Sequence, residues 1–157
     1  MTAGAQRQPP VPHVLREYSL LADGERGAIV GPCGDIAWLC APRWDSPSVF
    51  STLIGGAGHY TVCPVGRFVW GGEYEDGSMI WHSRWVTEQG IVESREALAY
   101  PGDVHRLILL RRLAAVNAPA TLRAQLCPRG DYDSEALTDV HQRKEVWTGQ
   151  IGELWVR

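Results

Sequence analysis

Apolar and polar residues alternate with a period of two along much of this chain, a pattern typical of strands that bury one face. The segment 121–127 shows it most cleanly, because Leu122, Ala124 and Leu126 are separated by polar residues. A second segment repeats the pattern, with one predicted face formed by Met79, Trp81, Ser83 and Trp85. Both segments are therefore predicted to be half-buried strands.

Turn residues divide the remaining apolar segments into short pieces. The run Gly31–Asp35 separates Gly27–Val30 from Ile36–Cys40 and predicts a hairpin between them. Further strands are predicted at 17–21, 68–74, 91–98 and 105–113, although a helix is equally compatible with the last, and a final hairpin is predicted from 145–148 and 151–156 across residues 149–150. Short strands with frequent turns predict an all-β fold, an antiparallel sandwich or barrel.

One short helix is predicted near residues 47–54. Ser46 is a good N-cap and Pro47 suits the first helical position. Apolar residues then follow at helical spacing from Val49 and Phe50 to Ile54, before two glycines end the segment.

The predicted domain organisation is simple. Residues 1–14 are rich in Gln, Pro and Gly without periodicity, which predicts a disordered segment. Residues 15–157 are predicted to form a single domain, with a polar loop or an extra helical turn at 131–143.

Composition excludes several classes of function. The 157 residues carry a formal net charge of -3, so no nucleic-acid footprint is expected. The N-terminal segment has no apolar core of a secretory signal, and the longest apolar run, 107–110, is too short to span a membrane. We therefore expect a cytoplasmic protein without membrane or nucleic-acid partners.

No metal or cofactor is expected from residue spacing. The four cysteines form no C-x-x-C pair, and none has a histidine at ligand spacing, so they are interpreted as small apolar residues. The carboxylate pairs Glu73/Glu75 and Glu93/Glu96 are interpreted as surface charges. No catalytic residue is assigned.

Residues 17–54 carry a specific family resemblance. The ordered elements are Asp23-Gly24, Ile36, Trp38-Leu39-Cys40, Pro42-Arg43, Asp45-Ser46-Pro47-Ser48, Phe50 and Leu53. This run resembles the N-terminal, trehalase-like domain of glycoside hydrolase family 15, which includes glucoamylases and trehalases. Weaker similarity continues to about Asp133. The sequence departs from the family at position 37, where Ala37 replaces the usual aspartate.

The resemblance implies a supersandwich-like β-sandwich that supports a C-terminal catalytic α/α barrel. In that family the barrel holds the two carboxyl groups of an inverting hydrolysis, so catalysis is expected outside residues 1–157. The chain stops within the apolar strand 154–157, and we expect it to be one end of a longer polypeptide. The implied substrates are α-glucosides, either trehalose or α-glucans.

The corner at residues 42–47 is the candidate functional segment. Arg43, Trp44 and Asp45 are candidates for the rim of the barrel's substrate site, because an arginine and a carboxylate can bind sugar hydroxyls and an indole can stack on a sugar ring. The alternative is a structural role for the same residues. The residues expected to build the corner itself are Trp38, Ser46, Pro47 and Phe50.

A second hypothesis is a free-standing carbohydrate-binding or scaffolding module. Seven tryptophans in 157 residues permit an exposed aromatic row that binds sugars, although burial in the core or in an interface is the preferred explanation for them. A surface built to meet a barrel is also an exposed apolar patch, so self-association is expected of this chain.

Overall fold

The structure is a computed structural model that describes residues 10–157. The predicted disordered segment 1–14 lies largely outside these residues. The first helical or strand element of the described residues is a 3-10 helix at Leu15–Glu17. No helix in residues 10–157 is long and apolar enough to cross a membrane.

Fifteen strands make up most of the described chain. The first eight are β1 (Ser19–Ala22), β2 (Gly27–Val30), β3 (Ile36–Cys40), β4 (Ser48–Phe50), β5 (His59–Pro64), β6 (Phe68–Tyr74), β7 (Trp81–Thr87) and β8 (Ile91–Leu98). The remaining seven are β9 (Leu109–Ala115), β10 (Leu122–Cys127), β11 (Arg129–Gly130), β12 (Glu135–Ala136), β13 (Thr138–Arg143), β14 (Val146–Ile151) and β15 (Leu154–Val156).

The first large sheet has six strands. Its order is β1-β2-β3-β5-β10, with β4 paired to β3 beside this path. The predicted hairpin between β2 and β3 is confirmed, with Ile29 opposite Trp38. The predicted strand at 121–127 is also confirmed as β10, which pairs antiparallel with β5.

The second large sheet has four antiparallel strands in the order β6-β7-β8-β9. Its inner face alternates as predicted, because Trp81, Ser83 and Trp85 of β7 are buried. The outer face carries charged residues that pair across strands, such as Arg84 and Glu93, whose Nε and Oε1 atoms lie 3.9 Å apart.

The core lies between these two sheets. Leu21, Ile36 and Phe50 of the six-stranded sheet share one buried cluster with Trp81 and Leu98 of the four-stranded sheet. Two antiparallel sheets that bury their facing sides define a β-sandwich, as predicted.

The predicted helix at 47–54 is wrong for most of its length. Ser48–Phe50 is strand β4, and only Thr52–Ile54 forms a short 3-10 helix, which ends at Gly55 with φ 85°. Pairing of Phe50 with Leu39 completes the edge of the sheet, and this non-local pairing overrides the local helical spacing.

Two predictions in the C-terminal quarter are also wrong. Residues 131–143 form the strands β12 and β13 rather than only a loop or helical turn. The final hairpin turns at residues 152–153, where Gly152 has φ 53°, and not at 149–150. Strand β13 is exposed at every residue, so no apolar alternation marks it in the sequence.

Candidate functional site

The corner connects β3 to β4 and projects into solvent. The side chains of Arg43 and Asp45 are 67% and 72% exposed, and Trp44 is 53% exposed. Arg43 Nε contacts Asp45 Oδ1 at 3.1 Å, so the guanidinium and carboxylate are presented as a pair. All three rim candidates therefore lie together on one accessible surface.

The residues predicted to build the corner have different surroundings. Ser46 closes a turn, because its backbone N–H donates to the Arg43 carbonyl and its Oγ accepts from the Arg43 N–H at 3.1 Å. Phe50 is buried in the core, whereas Pro47 is exposed. Trp38 is half-buried and packs against Tyr132 with ring centroids 6.4 Å apart.

The exposed Trp44 ring is held by a close backbone approach. It lies directly over Gly27, where a Cβ atom would be 2.1 Å from the Trp44 Cη2 atom. Only glycine leaves room for the indole in this position. The backbone of strand β2 thus forms the surface on which the Trp44 ring packs.

Arg26 fixes the corner from below. Its Nη1 donates to the Pro42 carbonyl at 3.0 Å, and its Nη2 donates to the Asp103 carbonyl at 2.7 Å. The same guanidinium pairs with the Asp23 carboxylate at 3.0 Å, and both side chains are excluded from solvent. One buried cation therefore joins three segments that are distant in sequence.

We call these three segments, residues 23–26, 42–47 and 100–106, the loop end. Asp23 reinforces it, because its carbonyl accepts a hydrogen bond from Gly102 N–H at 2.9 Å. Besides the corner, the loop end exposes Tyr100 and Val104, which are 82% and 49% exposed. The loop end combines apolar surface with one ion pair, a composition suited to recognition.

Two carboxyl groups lie in the core rather than at the loop end. Burial raises the pKa of Glu96 against the opposing charge of Arg111, whose Nε is 2.8 Å away. Burial likewise raises the pKa of Asp35. The prediction that Glu96 lies on the surface is wrong, because its side chain is fully buried. Its alternation with Val92, Ser94 and Leu98 is the signal that indicates the inner face.

A third group of polar side chains was not predicted from spacing. His13, Cys33 and Asp35 bring one ligand atom each to within 4.8 Å of one another. Cys63 of strand β5 lies near the same turn, because the Val62 N–H donates to the Gly34 carbonyl at 3.3 Å. These residues are separated by up to fifty positions, so no short motif marks them.

The fold is an antiparallel β-sandwich whose loop end is fixed by the buried hydrogen bonds of Arg26. The chain belongs to the family of trehalase-like N-terminal domains, whose model matches residues 8–148. The predicted resemblance to such a domain is confirmed.

Two curated trehalases are similar to this chain. It is 35% identical to a trehalase of Mycobacterium tuberculosis over 158 residues, which covers 94% of this chain and 23% of the relative. It is 38% identical to a trehalase of Mycolicibacterium smegmatis over 156 residues, covering 87% of this chain and 23% of the relative. The chain thus matches under a quarter of each relative's length. No solved structure gives a significant match.

Proposed function

We propose that this chain acts as the non-catalytic N-terminal domain of a family 15 glycoside hydrolase, with trehalose or an α-glucan as substrate. The domain supports a C-terminal α/α barrel that carries the catalytic carboxyl groups, and we place the whole protein in the cytoplasm. Support comes from the family membership and from the trehalases, of which the matching segment is 23%.

The loop end is the surface that we assign to the rim of the substrate site. The observation that carries this assignment is the contrast between exposure and rigidity at the corner. Trp44 and the Arg43–Asp45 pair are open to solvent, yet Arg26 and Gly27 fix the backbone and ring beneath them. Preorganised aromatic and charged groups bind a sugar at low entropic cost.

Hydrolysis assays on the purified 157-residue chain test the non-catalytic assignment. Incubation with trehalose, maltose and soluble starch is expected to release no glucose above a buffer control. Glucose release that survives further purification and co-elutes with the chain would contradict the assignment.

A free-standing sugar-binding module is the second candidate. A groove of about 380 Å³ on the outer face of the four-stranded sheet favours it, because Glu73, His82 and Arg84 line the groove with hydrogen-bonding groups. The tryptophans give it less support, since the β14–β15 register puts Trp147 and Trp155 on opposite faces of their hairpin.

Titration of the isolated chain with trehalose and maltoheptaose, followed by backbone NMR shifts, separates the two candidates. A module that works alone predicts saturable shifts at the groove. A domain that only completes a rim predicts negligible shifts at millimolar sugar, because one corner provides too little contact surface. Size-exclusion chromatography at increasing concentration checks the accompanying proposal that exposed apolar surface causes self-association.

A further inference from the structure

A mixed nitrogen, sulfur and oxygen cluster lies at the turn between β2 and β3. The His13 Nε2 atom is 3.5 Å from Asp35 Oδ1, and the Cys33 Sγ atom completes a group that fits within 4.8 Å. Cys63 lies on strand β5, beside this turn. Three side chains with metal-ligating atoms therefore converge at the turn, and a fourth lies on the adjacent strand.

The backbone around the cluster is well fixed. Gly31 N–H donates to the Asp35 carbonyl at 2.8 Å, and the Asp35 carboxylate accepts the Cys33 N–H at 3.1 Å. A Cβ atom at Gly31 would lie 2.5 Å from Asp35 Oδ1, so glycine is required there. Val62 N–H donates to the Gly34 carbonyl at 3.3 Å and ties β5 to the turn. Cys33 and Cys63 therefore lie on adjacent, hydrogen-bonded segments.

The histidine is oriented toward the cluster. His13 N–H donates to the Tyr18 hydroxyl at 2.8 Å, and its Nδ1 is 4.0 Å from Glu17 Oε2. A carboxylate beside the remote ring nitrogen is common for metal-bound histidines. His13 Nε2 is itself buried and makes no hydrogen bond. It therefore has a free lone pair or proton facing Asp35.

The electrostatics favour a cation. The Asp35 side chain is only 2% exposed, so a charged carboxylate is poorly solvated there. A divalent ion would compensate the carboxylate and thiolate charges that the site otherwise disfavours.

We propose that His13, Cys33, Asp35 and Cys63 form a tetrahedral binding site for a thiophilic divalent cation of the zinc class. Two sulfurs with one imidazole and one carboxylate select such an ion over Mg²⁺ or Ca²⁺. Zinc–ligand bonds of about 2.0–2.3 Å place tetrahedral ligands about 3.3–3.8 Å apart, so His13, Cys33 and Asp35 need only a small contraction. The Cys63 thiol, which lies outside the 4.8 Å group, turns toward the ion when it binds. Binding displaces the protons of the Cys33 and Cys63 thiols into solvent.

Cobalt titration of the reduced, metal-free 157-residue chain tests this site. One equivalent of Co²⁺ is expected to give a thiolate charge-transfer band, which stoichiometric Zn²⁺ then abolishes. Zn²⁺ should also raise the melting temperature and slow tryptic cleavage at Arg16, which lies three residues after His13. Cys33→Ser and Cys63→Ser are expected to lose the band, and His13→Ala is expected to weaken Zn²⁺ binding at least tenfold.

Cys127→Ser and His105→Ala are matched controls, because both residues are exposed and lie outside the cluster. They should bind metal like the wild type. Circular dichroism checks that each variant is folded. If one of the two cysteine variants misfolds, the other still tests the site. Absence of the band with all thiols reduced, or an unchanged band in both folded cysteine variants, overturns the proposal. A Cys33–Cys63 disulfide that resists mild reductant would overturn it as well.

Discussion

Arg26 and Asp23 form an ion pair at 3.0 Å from which solvent is fully excluded, directly beneath the most exposed charged pair of the corner. The guanidinium also donates to carbonyls of residues 42, 103 and 106, so its charge and its hydrogen bonds are both used. The loop end therefore depends on one buried side chain.

Replacing Arg26 with methionine is expected to destabilise the domain strongly. The variant leaves the Asp23 carboxylate buried and unpaired, a situation that costs about 3–5 kcal/mol. Urea denaturation monitored by tryptophan fluorescence measures the loss. Arg43→Met breaks the exposed pair in the same region and should change the free energy of unfolding by under about 0.5 kcal/mol. Equal effects of the two variants would disprove the bracing role of Arg26.

Trp85 is expected to be the most important tryptophan for stability. Its side chain is fully buried, and Nε1 donates to the Pro32 carbonyl at 2.8 Å. Trp85→Phe leaves a cavity and an unpaired carbonyl, and should lower the free energy of unfolding by about 2–4 kcal/mol. Trp155→Phe, at a residue 76% exposed, should stay within about 0.5 kcal/mol. A denaturation midpoint for Trp85→Phe that matches Trp155→Phe would contradict this.

The close packing of the Trp44 ring on Gly27 predicts that alanine substitution affects stability differently at two glycines. Gly27→Ala inserts a methyl group into the Trp44 ring and should cost about 1–3 kcal/mol. Gly71→Ala places a methyl group in open space on an exposed strand and should be neutral or slightly stabilising. Thermal melts give the comparison, and near-ultraviolet circular dichroism reports whether the indole has moved. Equal melting temperatures for the two variants would contradict the prediction, because they would show that the Trp44 ring can move away from Gly27 without loss of stability.

Acid destabilisation is expected to involve Asp133. Burial raises the pKa of this carboxyl, but hydrogen bonds from the Ala57 and Gly58 N–H groups and from Ser51 Oγ outweigh burial and hold the pKa below its usual value. Folding therefore favours the carboxylate, and its contribution is complete above the unfolded-state pKa of about 4. That contribution is lost as the pH falls through the lower folded-state pKa.

Asp133→Asn should consequently lower stability by about 1 kcal/mol at pH 7, because charge-assisted hydrogen bonds are lost. The difference from wild type should shrink as the pH falls below about 4. Urea denaturation from pH 7 to pH 3 measures it. Asp45→Asn serves as the control for removal of an exposed charge and should change little. A difference that stays constant down to pH 3 would exclude this linkage.

Local patterns predicted strands where one face is apolar. Strands β6 and β8 begin and end at their predicted residues, and the β2–β3 hairpin was found from its glycine-rich turn. The same reasoning failed at β4, where sheet pairing decides the structure, and at β13, which has no buried face. Periodicity carries information only where burial alternates.

Only part of the candidate site could be predicted from the sequence, for a similar reason. The corner itself stands out because its charged and aromatic residues are contiguous in sequence. The supporting hydrogen bonds of Arg26 are not apparent from the sequence, because they reach carbonyl groups 16 and 80 positions away. The His13 cluster likewise depends on β5 lying beside the β2–β3 turn. Such long-range contacts leave no local spacing for sequence analysis to detect.

The rim assignment is tested most directly in a chimera, in which this chain replaces the matching 23% of the Mycolicibacterium smegmatis trehalase. We expect trehalose hydrolysis by the chimera, and a roughly three- to tenfold higher KM with unchanged kcat for its Trp44→Ala variant, as expected for lost ground-state contacts. Val116→Ala, at an exposed residue outside both the loop end and the groove, is the control and should leave both constants unchanged. A Trp44→Ala chimera with wild-type KM and kcat would contradict the rim assignment.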